Sequence, residues 1–255
     1  MRSHEPSVLV TIDKNIATIQ LNRLPLNAID TEFRDDLAKA IEEIASNSEV
    51  RVCVIHGGDK NFAAGADIKA INNMSAADFS DWNGKLNSAI TALSKLEVPV
   101  IAAIRGYALG GGLEIALAAD LRIGSKICTL GLPEIKLGIH PGAGGTQRLT
   151  QIVGRSKAKM LIMTGKHLSA PEALDLGIID ELVDDDKTVS RAMELAESIA
   201  QAPTGAIRAI KKCIDFESTT SDEAIAYERE SIVKVFDTSE RTELMSQFIK
   251  RSNRG

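Results

Sequence analysis

The sequence predicts an α/β fold with parallel strands in its main sheet. Three observations point there. Short apolar runs rich in Val and Ile alternate with segments of helical spacing. Glycine-rich turns follow several of those runs. Aromatic residues are only 4% against 44% hydrophobic, so the core is built from Ala, Ile, Leu and Val. A chain of 255 residues suits one large domain, or one domain with a smaller appendage.

VLVTI (8–12) and IATIQL (16–21) read as strands. The polar turn Asp13-Lys14-Asn15 joins them as a hairpin. The loop NRLPLNAID follows. Asp30 caps a helix with Phe33, Leu37, Ala40, Ile41 and Ile44 at helical spacing. RVCVI (51–55) is a buried strand ending at Gly57-Gly58. Ser75 and Asp78 mark a helix start, and that helix runs to about Lys95. PVIAAI (99–104) and LRIGS (121–125) are strands on either side of GYALGGG and a helix. Helices are expected near 145–153 and 156–164. Ser169-Ala-Pro-Glu172 is a capping box, and IIDELV (178–183) a last strand. The charge run DELVDDDK (180–187) reads as a solvated turn. From about 187 the pattern is helical, with breaks near Pro203 and near Thr219-Thr220-Ser221. The expected division is a strand-and-helix core over 1–186 and a helical part over 187–255.

Composition narrows the function. The net charge of −5 gives no electrostatic footprint for nucleic acid, so an anionic ligand needs a local site. Cys53, Cys128 and Cys213 are far apart and lack metal-ligand spacing. They read as reduced, buried thiols, which suits a cytoplasmic compartment. MRSHEPSVLVTID holds no apolar run of signal-peptide length, and no stretch is long and apolar enough for a membrane span.

Three segments carry chemistry. Gly110, Gly111 and Gly112 stand at the mouth of a helix, with Glu114 in its first turn. Amides there lack intrahelical partners, and glycine leaves them open to an oxygen that carries or develops negative charge. Close helix-to-strand packing is the other use of such glycines. A phosphate loop fits poorly, since no Lys-Ser or Lys-Thr follows. NFAAGADIK (61–69) is a second small-residue turn after a strand, and two such turns could supply two converging N–H donors. In LGLPEIKLGIHPGAGGTQRL (130–149), Glu134 follows a proline in an apolar stretch. It is either a surface carboxylate or an acid/base in an apolar pocket.

In order and spacing, AGADI, GYALGGGLE and LPEIKLGIHPGAGGTQRL resemble the motifs of the crotonase superfamily, the enoyl-CoA hydratase/isomerase family. The likeness covers essentially the whole chain. It implies a spiral of ββα units followed by a helical trimerisation region. It implies an oxyanion hole formed by the N–H groups of Ala66 and Gly111. It also implies two catalytic glutamates: Glu114 toward water and Glu134 as proton donor at Cα. Ala64, Ala66, Asp67, Ile68, Lys69 and Gly111 would contact the coenzyme A thioester, with Ala66–Lys69 at its adenine end.

The implied activity is hydration of 2-trans-enoyl-CoA to 3-hydroxyacyl-CoA. The alternatives are a Δ3,Δ2-enoyl-CoA isomerase or a hydratase of an aromatic-degradation intermediate. No cofactor is implied, since coenzyme A belongs to the substrate. The expected assembly is a homotrimer or a dimer of trimers, which the apolar residues Ile225, Ile232, Val235 and Phe236 support. One branch of the superfamily binds RNA through a lysine-rich helix, but Arg208, Lys211 and Lys212 are too few here. Arg105 departs from the small residue common before GYALGGG and is expected to alter the rim of the site. His140 is either an acyl-chain contact or a plain loop residue. Lys250 and Arg251 either reach a neighbour's coenzyme A or form a solvated basic end.

Overall fold

The structure is a computed structural model that describes residues 5–216, 232–233, 236–237 and 239–252. Its main sheet has six strands. β1 (Val8–Asp13) and β2 (Ile16–Leu21) form the expected antiparallel hairpin. β3 (Val52–His56), β4 (Val100–Ile104), β6 (Leu121–Ser125) and β9 (Glu181–Val183) then add in parallel, in the order β1-β2-β3-β4-β6-β9. A second sheet of three short strands, β5 (Tyr107–Leu109), β7 (Thr129–Gly131) and β8 (Leu168–Ser169), has the order β5-β7-β8.

The two sheets explain the winding. β4 in the large sheet leads to β5 in the small one and then to helix α4 (Gly111–Leu117). β6 leads in the same way to β7 and then, past a 3-10 turn at Glu134–Leu137, to α5 (Gly145–Val153). The preceding turn of the spiral passes from β3 through Ala63, bridged to Ala108, and through Ala66, bridged to Ile29. It continues into α2 (Ile68–Ile71) and α3 (Ala76–Ser94). Each pass is thus a ββα unit laid beside the last.

Local chemistry sets the helix starts. Asp30 accepts from the Phe33 N–H and begins α1 (Thr31–Ser46), which buries Phe33, Leu37, Ala40, Ile41 and Ile44. Ser75 accepts from the Asp78 N–H and begins α3. Glu172 reaches back to the Ser169 N–H at 2.9 Å at the head of α7 (Ala170–Asp175). α6 (Arg155–Thr164) follows α5 after Gly154. α8 (Thr188–Ala200) lays Ala192 and Ala196 against Val52, Val54, Ile101, Ala103 and Ile123, covering one face of the large sheet. The chain turns at Pro203 into α9 (Thr204–Phe216). The segment expected to break near Thr219–Ser221 lies outside the described residues. The last described helix is α10 (Ser239–Ser252).

Two expectations are corrected here. The strand expected over 178–183 begins only at Glu181. Ile178 and Ile179 both donate to the Ala173 carbonyl, at 2.8 and 3.2 Å, which ties them to α7 instead of the sheet. The charge run 180–187 is not merely solvated. It includes edge strand β9, and Asp185 accepts from Arg105 Nε at 2.7 Å and from the Ser125 hydroxyl at 2.8 Å. Cys53 and Cys128 are buried free thiols, and burial pushes both up to about 12. Nothing is described of the Cys213 side chain.

Candidate active site

A cavity of about 760 Å³ opens where the small sheet, α3 and α10 meet. All eight residues singled out from the sequence line it: Ala64, Ala66, Asp67, Ile68, Lys69, Gly111, Glu114 and Glu134. Three chain segments bring them together. Ala63 N–H donates to the Tyr107 carbonyl and Leu109 N–H to the Ala63 carbonyl, which lays 63–66 beside β5. Gly110 N–H donates to the Gly131 carbonyl at 2.9 Å, which lays the head of α4 beside the segment leading to Glu134.

The glycines at 110–112 have separate reasons. Gly110 has φ +52, a left-handed conformation that side chains disfavour, and a Cβ there would stand 3.2 Å from Glu134 Oε1. At Gly111 a Cβ would meet Ile29 Cδ1 at 2.9 Å. At Gly112 it would meet the Ala63 carbonyl oxygen at 2.1 Å. Close packing and an open amide are therefore both present in one tripeptide.

The two amides of interest are turned outward from their own segments. Ile29 donates to the Gly65 carbonyl and accepts from the Asp67 N–H, so the Ala66 N–H points to the opposite edge of that segment. Gly111 is the first residue of α4, where an amide has no intrahelical acceptor. A Cβ on Gly65 would touch the Leu109 carbonyl at 3.0 Å and Gly110 Cα at 3.7 Å, so the two segments run in contact.

Glu114 is 3% exposed. Its Oε1 accepts from Ala143 N–H at 2.7 Å and Gly145 N–H at 2.9 Å, and its Oε2 lies 3.9 Å from where a Gly111 Cβ would stand. Burial pushes the carboxyl pKa up, while the two amides and the Arg148 charge pull against that rise. Glu134 opens the 3-10 turn and is partly buried. Both carboxylates thus approach the same dipeptide, Gly110-Gly111. Asp67 lines the cavity with its carboxylate already engaged: it caps α2 at the Lys69 and Ala70 amides and accepts from Arg23 Nη2 at 3.0 Å.

Other wall residues escaped the sequence reading. The loop Arg23–Leu26 forms one rim, fixed where Arg23 binds Asp67, Asp30 and the Ala28 carbonyl. Phe79, Trp82 and Leu86 of α3 form an apolar wall; their helical spacing looks the same as that of any core face. His140 lines the cavity, with Nδ1 2.8 Å from the Pro141 carbonyl. Arg251 and Lys250 are both exposed, and of the two only Arg251 lines the cavity of its own chain.

Arg105 corrects an expectation: its guanidinium is paired with Asp185, away from the cavity wall. Ile232 and Phe236 are buried within the chain, with Phe236 stacked on Phe79 at 3.6 Å between ring centroids. Ile225 and Val235 lie outside the described residues. Among the described residues, no group of three or more His, Cys, Asp or Glu could hold a metal ion, and no helix is long and apolar enough to cross a membrane.

A family model for enoyl-CoA hydratase/isomerase matches residues 11–254, and the chain belongs to that family. The short-chain-enoyl-CoA hydratase of Clostridium acetobutylicum is 36% identical over 248 residues, covering 96% of this chain and 95% of that protein. The solved structure of enoyl-CoA hydratase from Bacillus anthracis superimposes with a TM-score of 0.81 at 32% identity, covering 96% of each chain. DspI of Pseudomonas aeruginosa gives the same TM-score at 33% identity, over 92% of this chain and 98% of that one.

Proposed function

We propose that this protein is a hydratase that adds water across the double bond of 2-trans-enoyl-CoA thioesters to give 3-hydroxyacyl-CoA. One observation carries the reading: two carboxylates, Glu114 and Glu134, converge on the Gly110-Gly111 dipeptide. Attack of water at Cβ drives charge onto the thioester oxygen. The Ala66 and Gly111 amides receive it as an oxyanion hole, where loss of one donor typically costs ~2.7–4 kcal/mol. Glu114, held by two amides at Oε1, takes the proton of the attacking water through Oε2. Glu134 delivers a proton to Cα. Each such role is typically worth ~10²–10⁴-fold.

Ala64, Asp67, Ile68 and Lys69 form the coenzyme A side of the cavity, and the chemistry calls on no cofactor beyond the coenzyme A that the substrate carries. An isomerase needs only one shuttling acid, so the clamped second carboxylate favours hydration. The reading also includes a cytoplasmic compartment and a homotrimer or dimer of trimers, with 1–186 as catalytic core and 187–255 as the oligomerisation region.

The test is hydration of crotonyl-CoA, followed as loss of absorbance of the conjugated thioester. Glu114→Ala should lose at least ~10²-fold, while deuterium exchange at the α carbon of a bound acyl-CoA, served by Glu134, falls less. An equal fall in both would make the glutamates one unit and overturn the division of labour. Unchanged hydration would hand the lead to the isomerase reading.

A further inference from the structure

The turn that clamps Glu114 is Gly142–Gly145, three consecutive peptide groups that lead into α5, whose first residue is Gly145. Such a segment holds a carboxylate in place only if it is itself held. Each of its carbonyls has a partner. The Gly142 carbonyl, on the peptide whose N–H is given to Glu114 by Ala143, accepts from Asn83 Nδ2 at 3.1 Å and Asn87 Nδ2 at 3.3 Å. The Gly144 carbonyl, on the peptide whose N–H is given to Glu114 by Gly145, accepts from the Arg148 backbone N–H at 2.9 Å. The Ala143 carbonyl between them accepts from Arg148 Nη1 at 2.9 Å. The turn is shaped around that guanidinium: Gly144 has φ +100, and a Cβ there would stand 2.0 Å from Arg148 Nη1.

We propose that Arg148 is a positioning residue for Glu114, holding the middle peptide of the turn so that the Ala143 and Gly145 amides converge on Oε1 and leave Oε2 directed at the bound thioester. This rests on the hydratase reading above. Arg148 does not touch the substrate in this scheme; it acts through the turn. It also acts through charge. It is the only charged residue of α5, the helix that follows the turn. The charged groups of α3 stand elsewhere, Asp81 paired with exposed Lys85 and Asp78 bonded to Ser75. β5 offers only Tyr107, which is exposed. The 3-10 turn offers Glu134, which in the scheme above carries the proton destined for Cα, so the Arg148 guanidinium is the charge that favours ionised Glu114.

The experiment is the pH profile of crotonyl-CoA hydration for the wild type, Arg148→Lys and Arg148→Gln, with kcat and KM separated. Arg148→Gln should lower kcat about tenfold at neutral pH and change KM by less than about twofold. Its acid limb should move to higher pH, because Glu114 loses the charge that favours its ionised form. Arg148→Lys keeps the charge, so the limb should stay and part of the rate return. A purely structural residue would lower kcat equally at every pH, and an unmoved limb in a folded Arg148→Gln protein overturns the proposal. If Arg148→Gln does not fold, Arg148→Lys decides alone. Its single-point donor grips the Ala143 carbonyl less well, so kcat must fall about threefold or more with KM held, and a wild-type kcat overturns the proposal. Absence of hydration in the wild type would refute the hydratase reading instead. The infrared band of protonated Glu114, identified by its loss in Glu114→Gln, would then still report whether Arg148→Gln favours the acid form.

Discussion

At the scale of single residues, Gly112 carries the strictest requirement in the site. A Cβ there would stand 2.1 Å from a backbone oxygen, that of Ala63, and backbone moves only if the whole segment moves. Gly205, in the first turn of α9, has nothing within 4 Å of its Cβ position. Gly112→Ala should therefore cost about 1–3 kcal/mol or more of stability, and Gly205→Ala should be neutral or gain up to ~1 kcal/mol. Denaturant melts of the pair check this, and equal effects would contradict the packing account. The eight residues singled out, all of which line the cavity, were found through short contiguous motifs whose glycines and acids carry the family resemblance. Trp82 and Phe79 were not, since apolar residues at helical spacing look alike whether they face a core or a cavity. Arg105 was misread because its partner, Asp185, lies 80 residues away in the chain.

At the scale of elements, the long helices and the strands of the main sheet follow from caps and periodicity. β5, β7 and β8 do not, because two or three residues are too few to establish an alternation. Those short strands nevertheless set the site. The Arg105–Asp185 pair performs a similar service at the far edge, tying the end of β4 to the segment between β9 and α8. Burial alone would raise the Asp185 pKa, but hydrogen bonds from Arg105 and Ser125, with the guanidinium charge, outweigh it and hold the carboxyl below the usual Asp value. A depressed carboxylate stabilises the fold above its unfolded pKa, and that contribution is lost as pH falls through the lower, folded value. Asp185→Asn should thus lower stability by about 1–2 kcal/mol at pH 7, and the gap to wild type should close in strong acid. Urea midpoints across pH measure it, and a gap independent of pH would refute the role of the charge.

At the scale of the whole molecule, parallel strands were legible from the alternation of strands and helices and the spiral came from the family resemblance, but its two-sheet winding came only with the structure. The proposed trimer gains support from exposed apolar residues on α6 and α9, among them Met160, Met163, Ile210 and Ile214 at 57, 67, 55 and 70% exposure. Ile232 and Phe236, expected to serve the same purpose, pack within the chain. Light scattering should give three or six chain masses at micromolar concentration, and a monomer would refute the assembly. The pairing of β5 with β7 reaches further than its three residues suggest. Leu109 lies opposite Gly131, and one hydrogen bond continues the ladder to Gly110. The amide of Gly111 and the acid of Glu134 therefore each stand within three residues of one strand pair. The gap between the proposed oxyanion donor and the proposed proton donor is then anchored, from both sides, to the register of that strand pair.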